Sequence, residues 1–530
     1  MVVLSESSTK KLVQKMFKIR GYALKHESLE RIMVFLARFS DVEQAIDLLL
    51  SCLQLHAGRL TIKSSILSKE IVDMVISEVT AADEAVEKTS SITVSGSSAL
   101  AIIDAFLVPK FRYDSTKKQI IENTGRLPIY SENSNKSGGH ENPISSKIEL
   151  YNNRFALLSQ RMTHCGSCEI VPIQSLIGQD GKKWVMGLIS QLQDGHFYLE
   201  DLTASIEIDL SSAKITTGFI LENTTVIAFG EKLSNGIFRV FACGFPPLEE
   251  REKSLTLCGH YDFFGGGTLE KEDILRLRQL ERNAVNEMFV VVSDIWVDDE
   301  QVMKKIETML DGFESQDVVP SLFVFMGNFC SRPCNISFNS YPALRSQFRK
   351  LGELIKSHPR ISESNFIFVP SPDDVGSSTA LPRCSLPNFL AAEIRNNVPK
   401  AKFASNPCRV KFYTQEIVFF RHDLLYRMRR SCLVPPSIEE TDDVFEHLVA
   451  TITHQSHLCP LPLIARPINW NYDHSLHLYP LPHTIILGDR SEQKCFKYGG
   501  VTCLNAGSFS YDGTFVVYRP CDQEVEFSVL

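Results

Sequence analysis

Asp294 ends an apolar run, Phe289-Val290-Val291-Val292, from which only Ser293 separates it. A continuous run of β-branched and aromatic residues predicts a strand buried on both faces, and open α/β sheets bind ligands just beyond the carboxyl ends of such strands. The pattern returns at Leu322 to Met326, followed by Gly327-Asn328-Phe329-Cys330-Ser331, and at Asn365 to Val369, followed by Ser371-Pro372-Asp373-Asp374. Asp489 follows a further apolar stretch, Thr484 to Leu487. Carboxylates at strand ends are hard oxygen ligands, and together with histidines they could hold divalent cations for metal-assisted hydrolysis. Two such cations, about 3.5–4 Å apart, need several ligands converging on one point, and Asp294 alone cannot supply that charge density.

Other groupings have residue types suited to chemistry. His447, His454 and His457, with His474, His477 and His483, could ligate a metal. His454 and His457 stand beside the breaking pair Cys459-Pro460 without partnered carboxylates, so surface or hydrogen-bonded imidazoles are expected. Cys165-Gly166-Ser167-Cys168 has the spacing of half a zinc site, but no second CxxC or HxxxH completes a tetrahedron, and a turn is expected. Gly265-Gly266-Gly267 lacks the Lys-Ser/Thr of a phosphate loop and reads as a turn that permits close backbone approach. Arg427, Arg429 and Arg430, following Arg421, could grip phosphates or an acidic partner, or pair with Asp423 and Glu439. Guanidinium geometry suits either use.

The elements that position these residues are legible in the periodicity. Residues 8 to 80 read as helices: Asp41-Val42-Glu43-Gln44 has the form of a capping box ahead of Ala45 to Leu55, and Ser68 precedes Ile71, Val72, Val75, Ile76 and Val79 at helical spacing. Leu29, Ile32, Met33, Phe35, Leu36 and Phe39 give another helix a broad apolar face. A terminal helical bundle without polar constellations reads as a docking module. Ala81 to Ala99 and Tyr113 to Ser146 are polar and read as a tether, interrupted by the apolar segment Leu100 to Val108, which is expected to pack on a neighbour.

A helix over Ser146 to Met162 then leads into short strands at Lys183 to Gln191, Phe197 to Asp209, Thr224 to Gly230 and Ile237 to Gly244. Hairpin signals at Asp194-Gly195 and Asn235-Gly236 make this an OB-type barrel. Trp184, Phe197, Tyr198, Phe238 and Phe241 could stack the bases of a single strand, but Glu200, Asp201, Glu207, Asp209 and Glu222 oppose phosphate. A structural barrel is expected. Helices at Asp273 to Met288, Gln301 to Leu310 and Ala343 to Ser357 alternate with the three buried strands, and strands at Arg409 to Phe412, Glu416 to Phe420, Thr484 to Leu487 and Thr514 to Tyr518 follow. The fold class is multidomain, α+β and α/β, with a layered α/β pattern in the last part. The expected domains are a helical docking domain (1–80), a tether (81–145), an OB-fold domain with its leading helix (146–250) and an α/β domain (251–530).

Three buried strands, each ending in a short polar loop, resemble the scaffold of the calcineurin-like metallophosphoesterases. The resemblance implies a first loop Asp-x-His, a second Gly-Asp-x-x-Asp and a third Gly-Asn-His. Here Asp294-Ile295-Trp296 puts an indole where the ligand His would stand, Gly327-Asn328 and Ser331 lack both carboxylates, and Ser371-Pro372-Asp373, with Asp374, lacks the Asn and His. A phosphoesterase sandwich without its metal ligands resembles the B subunits of the replicative DNA polymerases. LEDLTASIEIDLS at Leu199 to Ser211, GHYDFFGG at Gly259 to Gly266, DLLYRMRR at Asp423 to Arg430 and LYPLPHTIILGD at Leu478 to Asp489 narrow it to the epsilon branch of that family. The resemblance implies a non-catalytic accessory subunit without cofactor. It would hold the cysteine-rich carboxyl-terminal module of the polymerase's catalytic subunit and reach the GINS component of the replicative helicase through the helical domain. It also implies two histone-fold small subunits in the same assembly, DNA contacted through the complex, and nuclear residence.

Composition bounds these expectations. At 530 residues with 44% hydrophobic content the chain can bury several cores, and a net charge of −8 excludes a protein whose whole surface embraces nucleic acid. The start, MVVLSESSTKKLVQK, has no apolar core after a basic stretch, and no run approaches a membrane span, so a soluble intracellular protein without secretory signal is expected. The fourteen cysteines, scattered singly as at Cys52, Cys243, Cys330 and Cys503, read as reduced, mostly buried thiols. Two rival readings differ in what they require. A divergent metallophosphoesterase would recruit Asp294, Asp373, Asp374, Asp489 and histidines, whereas an OB-fold single-strand-binding protein would show steeply salt-dependent affinity.

Overall fold

The computed structural model describes residues 10, 13, 15–18, 22–36, 66–67, 72, 99–114, 119–122, 143–166, 168–178, 181–259, 261–333, 341–376, 378–437 and 439–530. The chain divides into two compact units, Met1–Ser95 and Gly96–Leu530. In the first, a helix spans His26–Leu36 with Leu29 and Ile32 buried, and Ala23–Leu24 pairs in parallel with Ile66–Leu67. The capping box at Asp41, the helix over 45–55 and all but Val72 of the apolar set at 71–79 lie outside the described residues.

The second unit opens within the stretch read as a tether. β1 (Leu100–Asp104) joins a sheet far along the chain, and β2 (Phe111–Asp114) and β3 (Gln119–Glu122) form a hairpin. α1 (Pro143–Cys165) then leads into a barrel of β4 (Lys182–Gln193), β5 (His196–Glu200), β6 (Ser205–Asp209), β7 (Lys214–Ile215), β8 (Thr225–Lys232) and β9 (Phe238–Gly244). The strand order is β8-β4-β5-β6-β9-β7, and β8 also pairs with β9, which closes the sheet on itself. Every second residue points inward, so Val185, Ile189, Leu199, Val226, Ala228, Phe238 and Val240 fill the barrel. The register of β8 on β9 shifts at Phe229/Gly230, where any Cβ on Gly230 would lie 2.1 Å from the carbonyl oxygen of Arg239. Only glycine permits that approach.

The remainder is a layered α/β structure. β10 (Phe289–Ser293), β11 (Leu322–Met326), β12 (Asn365–Val369) and β13 (Ala401–Phe403) run parallel. β14 (Cys408–Phe412), β15 (Gln415–Arg421), β16 (Thr484–Gly488), β17 (Lys494–Tyr498) and β18 (Val501–Asn505) build a second sheet with β1 at its edge, in the order β17-β18-β16-β15-β14-β1. β19 (Thr514–Arg519) and β20 (Glu524–Val529) return antiparallel to complete the first sheet as β13-β12-β11-β10-β19-β20. Alternation sends Phe289, Val291, Leu322 and Val324 towards Val410, Ile417, Phe419 and Ile486 of the facing sheet. Val290, Val292, Phe323 and Phe325 point the other way, beneath α2 (Glu300–Glu314), α3 (Tyr341–Lys356) and α4 (Asn388–Arg395). α5 (Leu424–Arg430) and α6 (Val444–His454) cover the outer face of the second sheet through Leu448 and Val449 against Val418 and Leu487. Each such fully buried side chain contributes about 1.5–3 kcal/mol by leaving water, and continuous apolar strands are needed because both sheet faces are covered.

One expectation shifts and another holds. The helix read over Asp273 to Met288 spans Lys271–Asn283: the N–H of Ala284 bonds back to Glu281 and the chain turns into β10. Glu281 is itself buried near that end, where its carboxylate accepts from Thr414 and Gln415 and pins the helix to the β14–β15 turn. The apolar segment at Leu100 to Val108 does pack on a neighbour, by strand addition to β14. No described helix is long and apolar enough to cross a membrane.

The barrel and the layered part are joined through α6. Backbone N–H groups of Gly218, Phe219 and Thr225 donate to the side chains of His447 (3.0 Å), Thr451 (2.8 Å) and Gln455 (3.0 Å). Gln455 returns a bond to Thr225 O at 2.8 Å, so the amide reads both groups of one residue's backbone. Ile220–Leu221 also pairs with Cys432–Val434 across the junction.

Candidate functional site

At the carboxyl end of β10, Asp294 adopts φ +61°, a left-handed conformation that Asp tolerates better than most residues. Its N–H donates to Met326 O at 3.0 Å, and its carbonyl accepts from Ser510 N at 3.2 Å and from the Ser510 hydroxyl. The backbone is thereby clamped between the end of β11 and the loop before β19. The side chain is fully buried, and both carboxylate oxygens are engaged. Oδ1 accepts from Trp296 Nε1 (3.2 Å), Arg490 Nη2 (3.1 Å) and, at longer range, Arg421 Nη2 (3.4 Å). Oδ2 accepts from Arg490 Nε (3.0 Å) and Ser508 Oγ (2.7 Å).

Arg421 is 1% exposed and extends from the end of β15, in the opposite sheet. Besides Asp294 it reaches Asp423 Oδ1 (2.8 Å), Gly488 O (2.6 Å), Asn328 Oδ1 (3.1 Å) and Gly327 O. Burial works against its charge, but Asp423 and Asp294 outweigh that penalty and raise its pKa. Asp423 also meets burial first, which would raise it, and Arg421 then brings it below the usual carboxylate range. One guanidinium therefore stitches together the carboxyl ends of both sheets.

The loop residues singled out by sequence divide into those that join this centre and those that do not. Asp294, Trp296, Gly327 and Asn328 converge on Arg421 and Arg490. Ser331 turns away and bonds Asp298 through its N–H (2.9 Å) and hydroxyl (2.7 Å). Asp374 is buried, with its pKa raised by desolvation, and accepts from Phe329 N and Ser371 N at 2.7 Å each, stapling the loop after β12 to that after β11. Asp373 is only partly buried, and its N–H donates to Ser371 Oγ at 3.1 Å. Asp489 accepts from Leu425 N at 2.9 Å and so caps α5; burial raises its pKa, and Asp423 adds to the effect. The carboxylates required for a divergent phosphoesterase are thus engaged separately, Asp294 by side-chain donors and Asp374 and Asp489 by backbone N–H groups of different loops. A divalent cation at Asp294 would lie beside two guanidinium groups in an interior that screens charge poorly, and the residues present do not fit one.

The histidines that could have been ligands are mostly interior hydrogen-bonding groups rather than surface residues. His454 bonds Pro246 O (2.7 Å) and Tyr498 OH (2.8 Å), His474 donates to Val108 O (3.0 Å), and His483 Nδ1 accepts from Glu416 N (3.0 Å). Burial pulls their pKa values to about 4, about 3 and about 3. His457 and His477 meet on Asp473, at 3.2 and 3.1 Å, and their ligand atoms lie within 4.8 Å of one another. Arg154 of α1 grips the same carboxylate at 2.5 and 3.0 Å. Burial, with Arg154 second, holds His457 down to about 3, while Arg154 draws Asp473 well below its ordinary value against the burial penalty. This carboxylate divides its bonds between the two imidazoles and Arg154, and through Arg154 it fastens α1 onto the layered part.

Other expectations resolve locally. The three glycines at 265–267 all have positive φ, and Gly265 and Gly267 donate to the carboxylate of Asp262, forming a turn. Of the barrel aromatics, Phe238 is fully buried core and Trp184 packs against Phe229 in a tilted pair with ring centroids 4.8 Å apart, so neither is an open platform. Arg427, Arg429 and Arg430 do not pair with Asp423 or Glu439: Asp423 is taken by Arg421, and Glu439 meets Lys214 at 3.5 Å. Sequence reasoning missed Arg490, Ser508, Asp423 as a network member, Arg154 and Asp473. Arg490 directly follows the motif aspartate Asp489, which was the available signal.

Comparison with known proteins agrees with this architecture. Residues 289–496 match the family model of the DNA polymerase alpha/epsilon B subunit, and residues 144–247 match that of the DNA polymerase epsilon subunit 2-like OB-fold domain. The chain is 59% identical to the DNA polymerase epsilon B subunit of Arabidopsis thaliana over 99% of its own length and 100% of the relative's. It is 32% identical to DNA polymerase epsilon subunit 2 of Mus musculus, covering 97% of each. A solved archaeal phosphodiesterase aligns with 46% of this chain and 99% of its own, at 11% identity and a TM-score of 0.26. With near-complete coverage by a relative of such high identity, and with the barrel and the layered part each matched separately, the chain belongs to the family of DNA polymerase epsilon B subunits, accessory subunits of a replicative polymerase.

Proposed function

We propose that the chain is a non-catalytic scaffold that holds the polymerase's catalytic subunit and links it to other replication proteins in the nucleus. The observation that carries this reading is the saturation of Asp294: two guanidiniums, an indole N–H and a hydroxyl occupy both oxygens where a phosphoesterase would bind metal. The phosphoesterase-like sandwich is then kept for its rigidity, since Arg421 fuses loops of both sheets and Asp374 fuses two loops of one. The partner held on this body is the cysteine-rich carboxyl-terminal module of the catalytic subunit. The working organisation is a helical domain over 1–80 that reaches the GINS component of the helicase, a tether that begins at 81 and is interrupted where β1 joins the second sheet, and a rigid body over 146–530 to which β1 belongs as an edge strand. Histone-fold small subunits share the assembly, and DNA is met through the complex.

The test is metal content and phosphodiesterase activity of the purified full-length chain with manganese and a generic phosphodiester, beside capture of the carboxyl-terminal module. The expected result is substoichiometric metal, no turnover and tight capture. Stoichiometric metal with metal-dependent turnover overturns the reading.

A further inference from the structure

The strand-end loops around Arg421 and Asp489 also position something that faces outward. α5 begins three residues after Arg421, and Asp489 caps its first turn through Leu425 N at 2.9 Å. The buried side of the helix, Leu424, Leu425 and Met428, packs into the core, leaving Tyr426 67% exposed and Arg429 and Arg430 in solvent. Arg427 lies between the two sides and donates to Ala465 O at 3.4 Å, which sets the neighbouring loop against the helix. At the tip of that loop Ile464 is 93% exposed, more than any other large apolar side chain among the described residues.

This patch has no internal charge balance. Among the described residues no carboxylate pairs with Arg427, Arg429 or Arg430. Asp423 serves Arg421, Glu439 meets Lys214, Glu440 takes Thr217, and Asp443 takes Lys494. Buried Arg466, whose Nε donates to His422 at 2.9 Å, lies beneath the same loop, with Asp373 and Asp423 near enough to offset part of its charge. A chain with net charge −8 thus carries exposed guanidinium groups beside the bare Ile464 and beside Tyr426, whose hydroxyl accepts from Arg430 at 3.5 Å. Arginine and tyrosine around an apolar anchor are the residue types that dominate protein interfaces.

We propose that the outer face of α5 with Ile464 is a docking surface for an acidic protein segment bearing apolar side chains. Nucleic acid would use the arginines but would gain nothing from a fully exposed isoleucine, which favours protein. The inference rests on the scaffold reading, which supplies the partner for its test: the carboxyl-terminal module of the catalytic subunit.

The experiment measures binding of labelled module to the full-length chain across salt concentrations. Arg429→Glu with Arg430→Glu is expected to weaken binding at least tenfold and to flatten its salt dependence. Ile464→Asp is expected to weaken binding about as much while leaving the salt dependence steep. Arg429→Lys with Arg430→Lys should retain most of the salt dependence, and unchanged thermal midpoints would show that all variants fold. Variants that bind the module like wild type overturn the docking surface and leave the scaffold reading standing. Loss confined to a labelled single-stranded oligonucleotide, with module binding intact, overturns it in favour of nucleic acid. A wild-type chain that does not capture the module overturns both.

Discussion

Two buried aspartates organise this molecule, and they are held differently. Asp294 is surrounded by permanently charged guanidiniums from the ends of two strands, with a serine and an indole filling the remaining directions. Asp473 has one guanidinium, from α1, and two imidazoles, of which burial keeps His457 neutral near pH 7. Removing the arginines from the first centre would leave two carboxylates, Asp294 and Asp423, beside an asparagine and without an imidazole. Removing the arginine from the second would leave His-Asp-His, three ligands of the kinds that zinc accepts. The difference teaches that an arginine can decide whether a polar cluster is a metal site or a structural clasp.

The largest expected effect is at Arg421. Arg421→Met strands Asp294 and Asp423 in the interior and should cost about 3–5 kcal/mol of stability, read as a lowered urea midpoint; a loss under about 1 kcal/mol would mean that Arg490 alone sustains the centre. Arg154→Met should cost about 3 kcal/mol, and zinc should restore part of it by binding the exposed His-Asp-His set, seen by competition with a chromophoric chelator. Zinc affinity appearing instead in an Arg421→Met variant would reverse the contrast between the two centres. Ser508→Ala removes one hydrogen bond to a charged acceptor and should cost about 1.5 kcal/mol, with no gain of metal binding.

The smallest effect is a titration. His457 has an ordinary pKa of 6.5 and is held to about 3 in the folded chain, so the unfolded state binds more protons between those values and stability falls as pH falls. From about pH 7.5 to about pH 6 its share is about 0.8 kcal/mol. His454, His474 and His483 act in the same direction, while Asp374 and Asp489, raised by burial, oppose the trend. A His457→Gln variant should therefore lose stability with falling pH less steeply than wild type. Parallel curves would show that the imidazole is not held neutral.

What could be read in advance follows from the range of the interactions. β10, β11 and β12 announce themselves because a strand covered on both faces must be apolar throughout, and the Asp194-Gly195 and Asn235-Gly236 turns carry their own conformational signatures. Asp294 was legible as a strand-end carboxylate. Its partners were not, because Arg421, Arg490 and Ser508 lie 127, 196 and 214 residues away and nothing local marks an arginine as inward-facing. Arg154 and Asp473, 319 residues apart, are hidden for the same reason. The histidines misled in another way: spacing shows that they cluster, but their burial is set by how the barrel and α1 close over them.

The place of β1 in the second sheet bears on how the protein is made. Ala105, just past the strand, donates to Ser405, just before β14, across 300 residues of chain. At about 5–20 residues per second, a ribosome delivers that partner roughly 15–60 s after β1 emerges. Throughout that interval an apolar strand waits without its ladder, and the edge of the second sheet closes only when translation has passed the entire barrel. Vectorial synthesis therefore makes the earliest strand of the rigid body one of the last to find its place.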